Sequence, residues 1–327
     1  MTKDRRSRGA ASLAVLTALV VGAALLVPVA LAGAPAAQAA TSCNLLQQLL
    51  GQCTPTTTAP SSTSTTATTS NPNALCGGVA TLPKAGGGTW TCTWSDEFTG
   101  DQLDRTKWRP QTTEGSNFSS NNLDCVVDSP NNISVGGGSL TLTSRKEAAP
   151  FTCPDPDGPR STSYTSATLT TFGLYDLKRG RVEFRAKVTG ADQPGLHEAF
   201  WLFPTDLLGG PGLGEIDVAE IYHRYPDRAI PYIHHPLSTL DPNDTKTSCL
   251  IPNIHDWNTY VVEWTSSSIK VIYNGVQCLN DTLGASNFNK PYMLAITQGL
   301  GWPGNDFVPG VTPLPASTIV DYVRVYQ

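Results

Sequence analysis

Beyond its first forty residues the chain has no second long apolar run, and so no other stretch of about 20 apolar residues that could cross a bilayer as a helix. It has no Cys-x-x-Cys spacing and no cysteine inside a histidine-rich cluster, which argues against structural zinc. No segment repeats apolar residues every three to four positions over three turns, so a helical core is excluded. Positive charge is scarce as well: 22 Lys and Arg stand against 27 Asp and Glu. Four of those basic residues, Lys3, Arg5, Arg6 and Arg8, crowd the start, which leaves the remainder more acidic than the formal net charge of −5 suggests. Such a surface repels nucleic acid and anionic polymers at long range and suits neutral partners.

The segment that is present at the start reads as an export signal. The basic cluster precedes a nearly unbroken apolar run from Ala10 to Ala34, and Ala37-Gln-Ala39 supplies the small-x-small pattern of a cleavage site. Residues 1–39 are therefore expected to be removed, leaving a secreted, extracellular protein with no membrane attachment. All eight cysteines follow this segment, and an even count in an exported chain predicts disulfides. Pairing neighbours would join 43 to 53, 76 to 92, 125 to 153 and 249 to 278, although spacing leaves other connectivities open.

Residues 40–53 form a short Cys-bounded, Leu-rich piece. Residues 54–75, dominated by Thr, Ser, Ala and Pro, cannot bury a core and predict an extended linker. From residue 76 to 327 the texture changes to short alternating segments broken by Gly, Pro, Asn and Asp. Ser139–Ser144, Arg181–Val188 and Ile319–Tyr326 alternate with period two, and Tyr260–Trp264 followed by Ser268–Tyr273 and Asn274-Gly275 predicts hairpins. Many short strands over one such span predict a single all-β domain, an antiparallel sandwich, expected to be monomeric.

One segment stands out chemically: Glu215-Ile-Asp-Val-Ala-Glu220. In a regular strand Glu215, Asp217 and Ala219 share a face, and Glu220 would point into the core with Ile216 and Val218. A lone buried carboxylate there is costly. A single bulge between Asp217 and Glu220 shifts the phase by one residue and returns Glu220 to the polar face. Three carboxyl groups in one row suit retaining glycoside hydrolysis. That chemistry needs two carboxyls about 5–5.5 Å apart, one a nucleophile and one an acid/base.

Glu215–Glu220 resembles the E-[IL]-D-x-x-E signature of glycoside hydrolase family 16, in the bulged-strand branch that includes laminarinases. The resemblance extends from Trp94 to Gln327. It runs through Trp94-Ser-Asp-Glu-Phe98, Leu103–Trp108, Asn132–Val135, Gly180–Lys187, Phe200-Trp-Leu202, Trp302-Pro-Gly304 and Val320–Tyr326. It implies a curved, concanavalin-like β-jelly roll with an open cleft, a polysaccharide substrate, double displacement and no catalytic cofactor. It assigns Glu215 as nucleophile, Asp217 as its assistant and Glu220 as general acid/base. Trp201 and His234 match cleft positions, Trp302 lies on a loop expected to face the sugar, and Gln298 lies on the strand leading to it. Glu97, the Gly138 carbonyl and Asp321 match positions that hold a structural calcium in relatives. β-1,3-glucan is the expected substrate. A galactan-cleaving or transglycosylating member, or a non-catalytic carbohydrate-binding sandwich, are the alternatives, and the last has no use for three aligned carboxylates.

The chain departs from the laminarinase pattern at two tryptophan positions, occupied here by His197 and Gly210. Aromatic faces pack on sugar rings, so both departures weaken any transfer of laminarin specificity. Tyr222, His223 and Tyr225 are the candidates for rebuilding that wall. Limited proteolysis is expected to cut first within 54–75 and to leave a resistant fragment beginning near residue 76. Early cleavage inside the 76–327 region would contradict this organisation.

Overall fold

The computed structural model describes residues 74–116, 123–206, 214–236, 245–301 and 304–327. The predicted signal, the 40–53 segment and nearly all of the linker lie outside the described residues, as do Gly210 and Trp302. The strands, in chain order, begin with five short ones: β1 Thr81–Pro83, β2 Thr89–Asp96, β3 Arg109–Gln111, β4 Cys125–Val126 and β5 Ile133–Gly136. Then come β6 Ser139–Cys153, β7 Arg160–Thr170, β8 Gly180–Thr189, β9 Leu196–Pro204, β10 Glu215–Tyr222 and β11 Ile230–His234. The last five are β12 Asn258–Trp264, β13 Ile269–Tyr273, β14 Val276–Asp281, β15 Tyr292–Leu300 and β16 Ala316–Tyr326. Helix among the described residues is limited to single turns at Leu75–Gly78, Thr113–Ser116 and Ala285–Asn287.

The main path of neighbours runs β11-β10-β9-β15-β7-β6-β16-β8-β12-β13-β14. Almost every pairing is antiparallel, and β4 beside β7 is the parallel exception. The long β6 turns the corner, pairing with β16 through Leu140–Ser144 and with β7 through its later residues. This folds the path into two facing layers, the antiparallel sandwich that the alternating segments predicted and the jelly roll that the family resemblance implied. Phe200 on β9 stacks on Tyr260 of β12 at 5.3 Å and meets Phe184 of β8 at 5.2 Å, so the layers interlock through aromatic rings. Each such fully buried ring contributes roughly 1.5–3 kcal/mol by removal from water. Three disulfides, Cys76–Cys92, Cys125–Cys153 and Cys249–Cys278, join sequence neighbours; Cys43 and Cys53 lie outside the described residues.

Period-two alternation sorts β9 and β15 into two faces. His197, Ala199 and Trp201 face outward from the layer, and Glu198, Phe200 and Leu202 face the core. Glu198 is a carboxylate with no exposed surface, and it is compensated accordingly. Gln298 donates to it at 2.9 Å, Thr318 in turn donates to Gln298 at 2.9 Å, and His223 lies 3.2 Å from its second oxygen. Removing one partner of such a pair leaves a buried charge uncompensated, at a cost of about 3–5 kcal/mol.

Burial pushes the His223 imidazole down, but Glu198, the Ala191 carbonyl and Asp192 outweigh it and hold it above its ordinary value. A raised histidine stabilises the fold fully below its unfolded pKa, about 6.5, and that stabilisation is lost as pH rises through the higher folded value. Glu198→Gln should therefore lower the thermal midpoint most at about pH 6 and progressively less toward about pH 9. Scanning calorimetry of both proteins across that range checks it, and a gap that stays constant with pH would contradict the pairing.

Candidate active site

The bulge expected on the catalytic segment is present. Asp217 pairs with Trp201 of β9, but the next partner, Phe200, is taken by Ala219, so Val218 is the extra residue. On the other edge Asp217 pairs with Tyr232 and Glu220 with Ile230, the same gain of one residue. Ile216, Val218 and Ala219 all enter the core, and Glu215, Asp217 and Glu220 all line the cleft. A bulge leaves backbone groups outside the ladder. The Val218 carbonyl is satisfied from the opposite layer, where the buried Tyr273 hydroxyl on β13 donates to it at 2.7 Å.

The cleft over these residues is a cavity of about 750 Å³ lined by His197, Trp201, Tyr222, Tyr232, His234 and Thr297 besides the three acids. It continues past Glu215 and Trp201 into a second lobe of about 500 Å³, lined by Gln111, Phe172, Phe203 and Met293 among others. The lobe is mainly apolar and aromatic, whereas the Glu220 side is rich in hydroxyl and imidazole groups. Flat apolar faces suit sugar rings, and hydroxyl and imidazole groups can bond their hydroxyls.

Several predicted residues come together here. Trp201 lies in the floor, its indole N–H donating to Thr297 Oγ1 at 3.0 Å. His234 is paired in register with Glu215, and its Nε2 sits 3.0 Å from Asp217 Oδ2. Tyr222 joins the wall, but His223 points into the core and Tyr225 is exposed outside the cleft lining.

Other expectations are corrected. Gln298 does not reach the cleft: it is fully buried on the core face of β15, its amide engaged by Glu198 and Thr318. Its neighbour Thr297 takes the outward position instead. The calcium set also fails on its donors. Glu97 forms two charge-assisted hydrogen bonds with Arg324, at 2.9 and 2.7 Å, and Asp321 is paired with Arg185. Both carboxylates are thus taken up by arginines, an arrangement that does not fit a calcium site. No group of three or more His, Cys, Asp or Glu among the described residues is arranged to hold a metal. Trp302 lies outside the described residues.

The sequence reading missed the role of His197. It sits opposite Tyr222 in the β9–β10 register, and its Nε2 is 3.0 Å from Glu220 Oε1. Thr297, Tyr232, Phe172 and Phe203 were missed as well. For Thr297, Tyr232 and Phe203 the signal was period-two parity once β9, β11 and β15 were aligned, which needs the register; Phe172 follows the end of β7 and had no such signal.

Three acids in one row cannot all stay ionised. The Glu215 carboxyl is pushed up to about 8, first by burial and next by the charge of Asp217, with Glu220 adding to it and His234 opposing. Burial and the Glu220 charge hold Asp217 well above the usual carboxylate range, against the hydrogen bond it shares with Glu215. Glu220 goes the other way. Burial raises it, but His197 and Tyr222 as hydrogen-bond partners, with the charges of His197 and His234, bring it below its ordinary value. Near neutral pH the free site thus keeps a proton on the Glu215–Asp217 pair and negative charge on Glu220.

Comparison with known proteins gives the same site a context. Residues 115–309 match the profile of Glycosyl hydrolases family 16. The chain is 31% identical over 262 residues to Glucan endo-1,3-beta-glucosidase A1 of Niallia circulans, across 72% of this chain and 37% of that protein. It therefore spans little more than a third of that relative's length. It is 30% identical over 264 residues to Beta-glucanase of Rhodothermus marinus, across 73% of this chain and 85% of that protein. Its fold is similar to that of an endo-beta-1,3-glucanase from Pyrococcus furiosus, with a TM-score of 0.65 and 25% identity over 76% of this chain and 98% of that one.

Asp217→Asn removes the neighbouring charge that, after burial, most favours protonated Glu215, while the amide oxygen keeps an acceptor in place. The Glu215 carboxyl should then titrate below about 8, with burial still holding it above the ordinary glutamate range. Carbon-13 NMR of glutamate-labelled protein reads this directly, and a midpoint left near about 8 would contradict the coupling.

Proposed function

The chain belongs to glycosyl hydrolases family 16, and from that membership we propose that it is a secreted, retaining endo-β-glycanase cleaving β-1,3-glucan by double displacement. The observation that carries this reading is the row Glu215, Asp217 and Glu220 on one side of a bulged strand, at the floor of an aromatic-lined cleft. Glu215 attacks the anomeric carbon, and Glu220 protonates the departing glycosidic oxygen. Water, activated by Glu220 as a base, then opens the glycosyl ester. This chemistry needs charge on Glu215 and a proton on Glu220, the reverse of the free site. A proton must therefore pass from the Glu215–Asp217 pair to Glu220 when the sugar docks, leaving the charge on Glu215, with Asp217 as its hydrogen-bond partner.

β-1,3-glucan is favoured by the bulged signature and by the names of the relatives above, among them the glucan endo-1,3-beta-glucosidase and the endo-beta-1,3-glucanase. A second reading, a galactan, draws on the Glu220 side of the cleft, where His197, Tyr222, Tyr232 and His234 make a polar wall at and near one missing tryptophan. The predicted signal and the acidic character of the remaining chain are the grounds for secretion and for a neutral polymer.

Purified protein incubated with laminarin, lichenan, agarose, carrageenan and xyloglucan is expected to release laminari-oligosaccharides, with the β-anomer appearing first by NMR. A first product in the α-form would refute retention, and cleavage of a galactan with laminarin untouched would refute the substrate. Glu215→Gln should lower turnover by about 10³-fold or more without unfolding the protein. Glu220→Ala should keep activity on activated aryl glycosides and be rescued there by azide, since such leaving groups need no proton.

A further inference from the structure

Where the laminarinase pattern has a tryptophan, this chain has an imidazole in contact with a reacting carboxyl group. His197 Nε2 lies 3.0 Å from Glu220 Oε1, and the Tyr222 hydroxyl donates to the same oxygen at 2.7 Å. The two rings stack on each other, centroids 5.0 Å apart and planes 25° from parallel. Their register explains the clustering, because Tyr222 on β10 is the cross-strand partner of His197 on β9. Two partners on one oxygen fix the plane of a carboxyl group, which would otherwise rotate freely at the end of a three-bond side chain.

We propose that His197 is a positioning residue for the acid/base, holding Glu220 through Oε1 in partnership with Tyr222. The proposal rests on the reading of Glu220 as acid/base given above. Neutral His197 serves this role as the Nε2–H tautomer, and the imidazolium serves it more strongly because its charge adds to the hydrogen bond. Among the described residues, the other titratable groups around Glu220 are Glu215 and Asp217 on its own strand, Tyr232 and His234 on β11, and Tyr273 from the layer beneath. Glu215 and Asp217 work against His197, since like charge favours a protonated Glu220. His234 works with it but is also bound to Asp217.

The consequence is a working range set toward acid. A general acid functions only while protonated, and a partner that favours the carboxylate lowers the pH at which the proton is lost. The direction found for Glu220 agrees with this sign. His197→Phe keeps a ring stacked on Tyr222 but removes the nitrogen. It should move the acidic limb of kcat/KM, which the Glu220 titration sets while Glu215 keeps its proton, upward by about one pH unit and lower kcat more than it raises KM. His197→Gln restores a donor without a charge, so kcat should recover while the limb returns only part of the way.

The same ordering is readable without substrate. In carbon-13 NMR of the free, glutamate-labelled protein, Glu220 should titrate at higher pH in His197→Phe than in wild type. A merely space-filling histidine would change stability in both variants and leave the limb and the midpoint where they are, which overturns the proposal. If the wild type cleaves no β-glycan at all, the reading of Glu220 as acid/base fails and the positioning role falls with it. If the enzyme is active and the midpoint does not move, the positioning role fails alone.

Discussion

A strand presents alternate residues to opposite faces, and Glu215, Asp217 and Glu220 cannot obey that rule and still share a cleft. The extra residue at Val218 resolves the conflict. It sends two consecutive residues, Val218 and Ala219, into the core and turns Glu220 back beside the other acids. The bulge is not left to the strand alone. Tyr273 reaches across from the second layer to satisfy the carbonyl of the inserted residue, and Tyr273 is itself packed edge-on against Tyr260. Through Tyr260 and Phe200 that contact continues into the aromatic interlock of the two layers. The geometry of the acids is thus tied to the packing of the whole sandwich.

The same constraint generates the electrostatics. Carboxyl groups brought onto one buried row raise each other's affinity for protons, and the wall residues decide where the remaining charge settles. His197 and Tyr222 draw it to Glu220, and burial together with neighbouring negative charge keeps a proton on the Glu215–Asp217 pair. The free site is therefore poised one proton transfer away from the arrangement that the proposed chemistry needs. A second carboxylate pattern lies directly behind it, since Glu198, adjacent to His197 in sequence, faces the core and is matched by His223, Gln298 and Thr318. One strand, β9, thereby supplies a partner to the cleft and a buried polar network to the core from consecutive residues.

Much of this is legible in the amino-acid sequence alone. The period-two segments specify an all-β sandwich, and the cost of burying Glu220 beside Ile216 and Val218 points to a bulge in the segment where one is found. Register is not legible there, and every misplacement traces to it. Gln298 and Thr297 are neighbours in sequence, and only the alignment of β15 with β9 shows that Thr297 faces the cleft and Gln298 the core. Glu97 and Asp321 resemble calcium ligands because their arginine partners come from other stretches of chain: Arg324 reaches Glu97 from β16, and Arg185 reaches Asp321 from β8. His197 reads in sequence as a lost sugar platform. Its meaning depends on Tyr222 and Glu220 being opposite and adjacent across the strand pair, which the bulge determines.

The central claim is that Glu215, although protonated in the free site, is the residue that forms the covalent bond. A slow 2-deoxy-2-fluoro-β-laminaribioside carrying a good leaving group would trap that intermediate, and peptide mapping by mass spectrometry would locate it. The account predicts the sugar on the peptide containing Glu215, with fragmentation placing it on that side chain. A label on Glu220, the carboxylate that the free site keeps ionised, would contradict it.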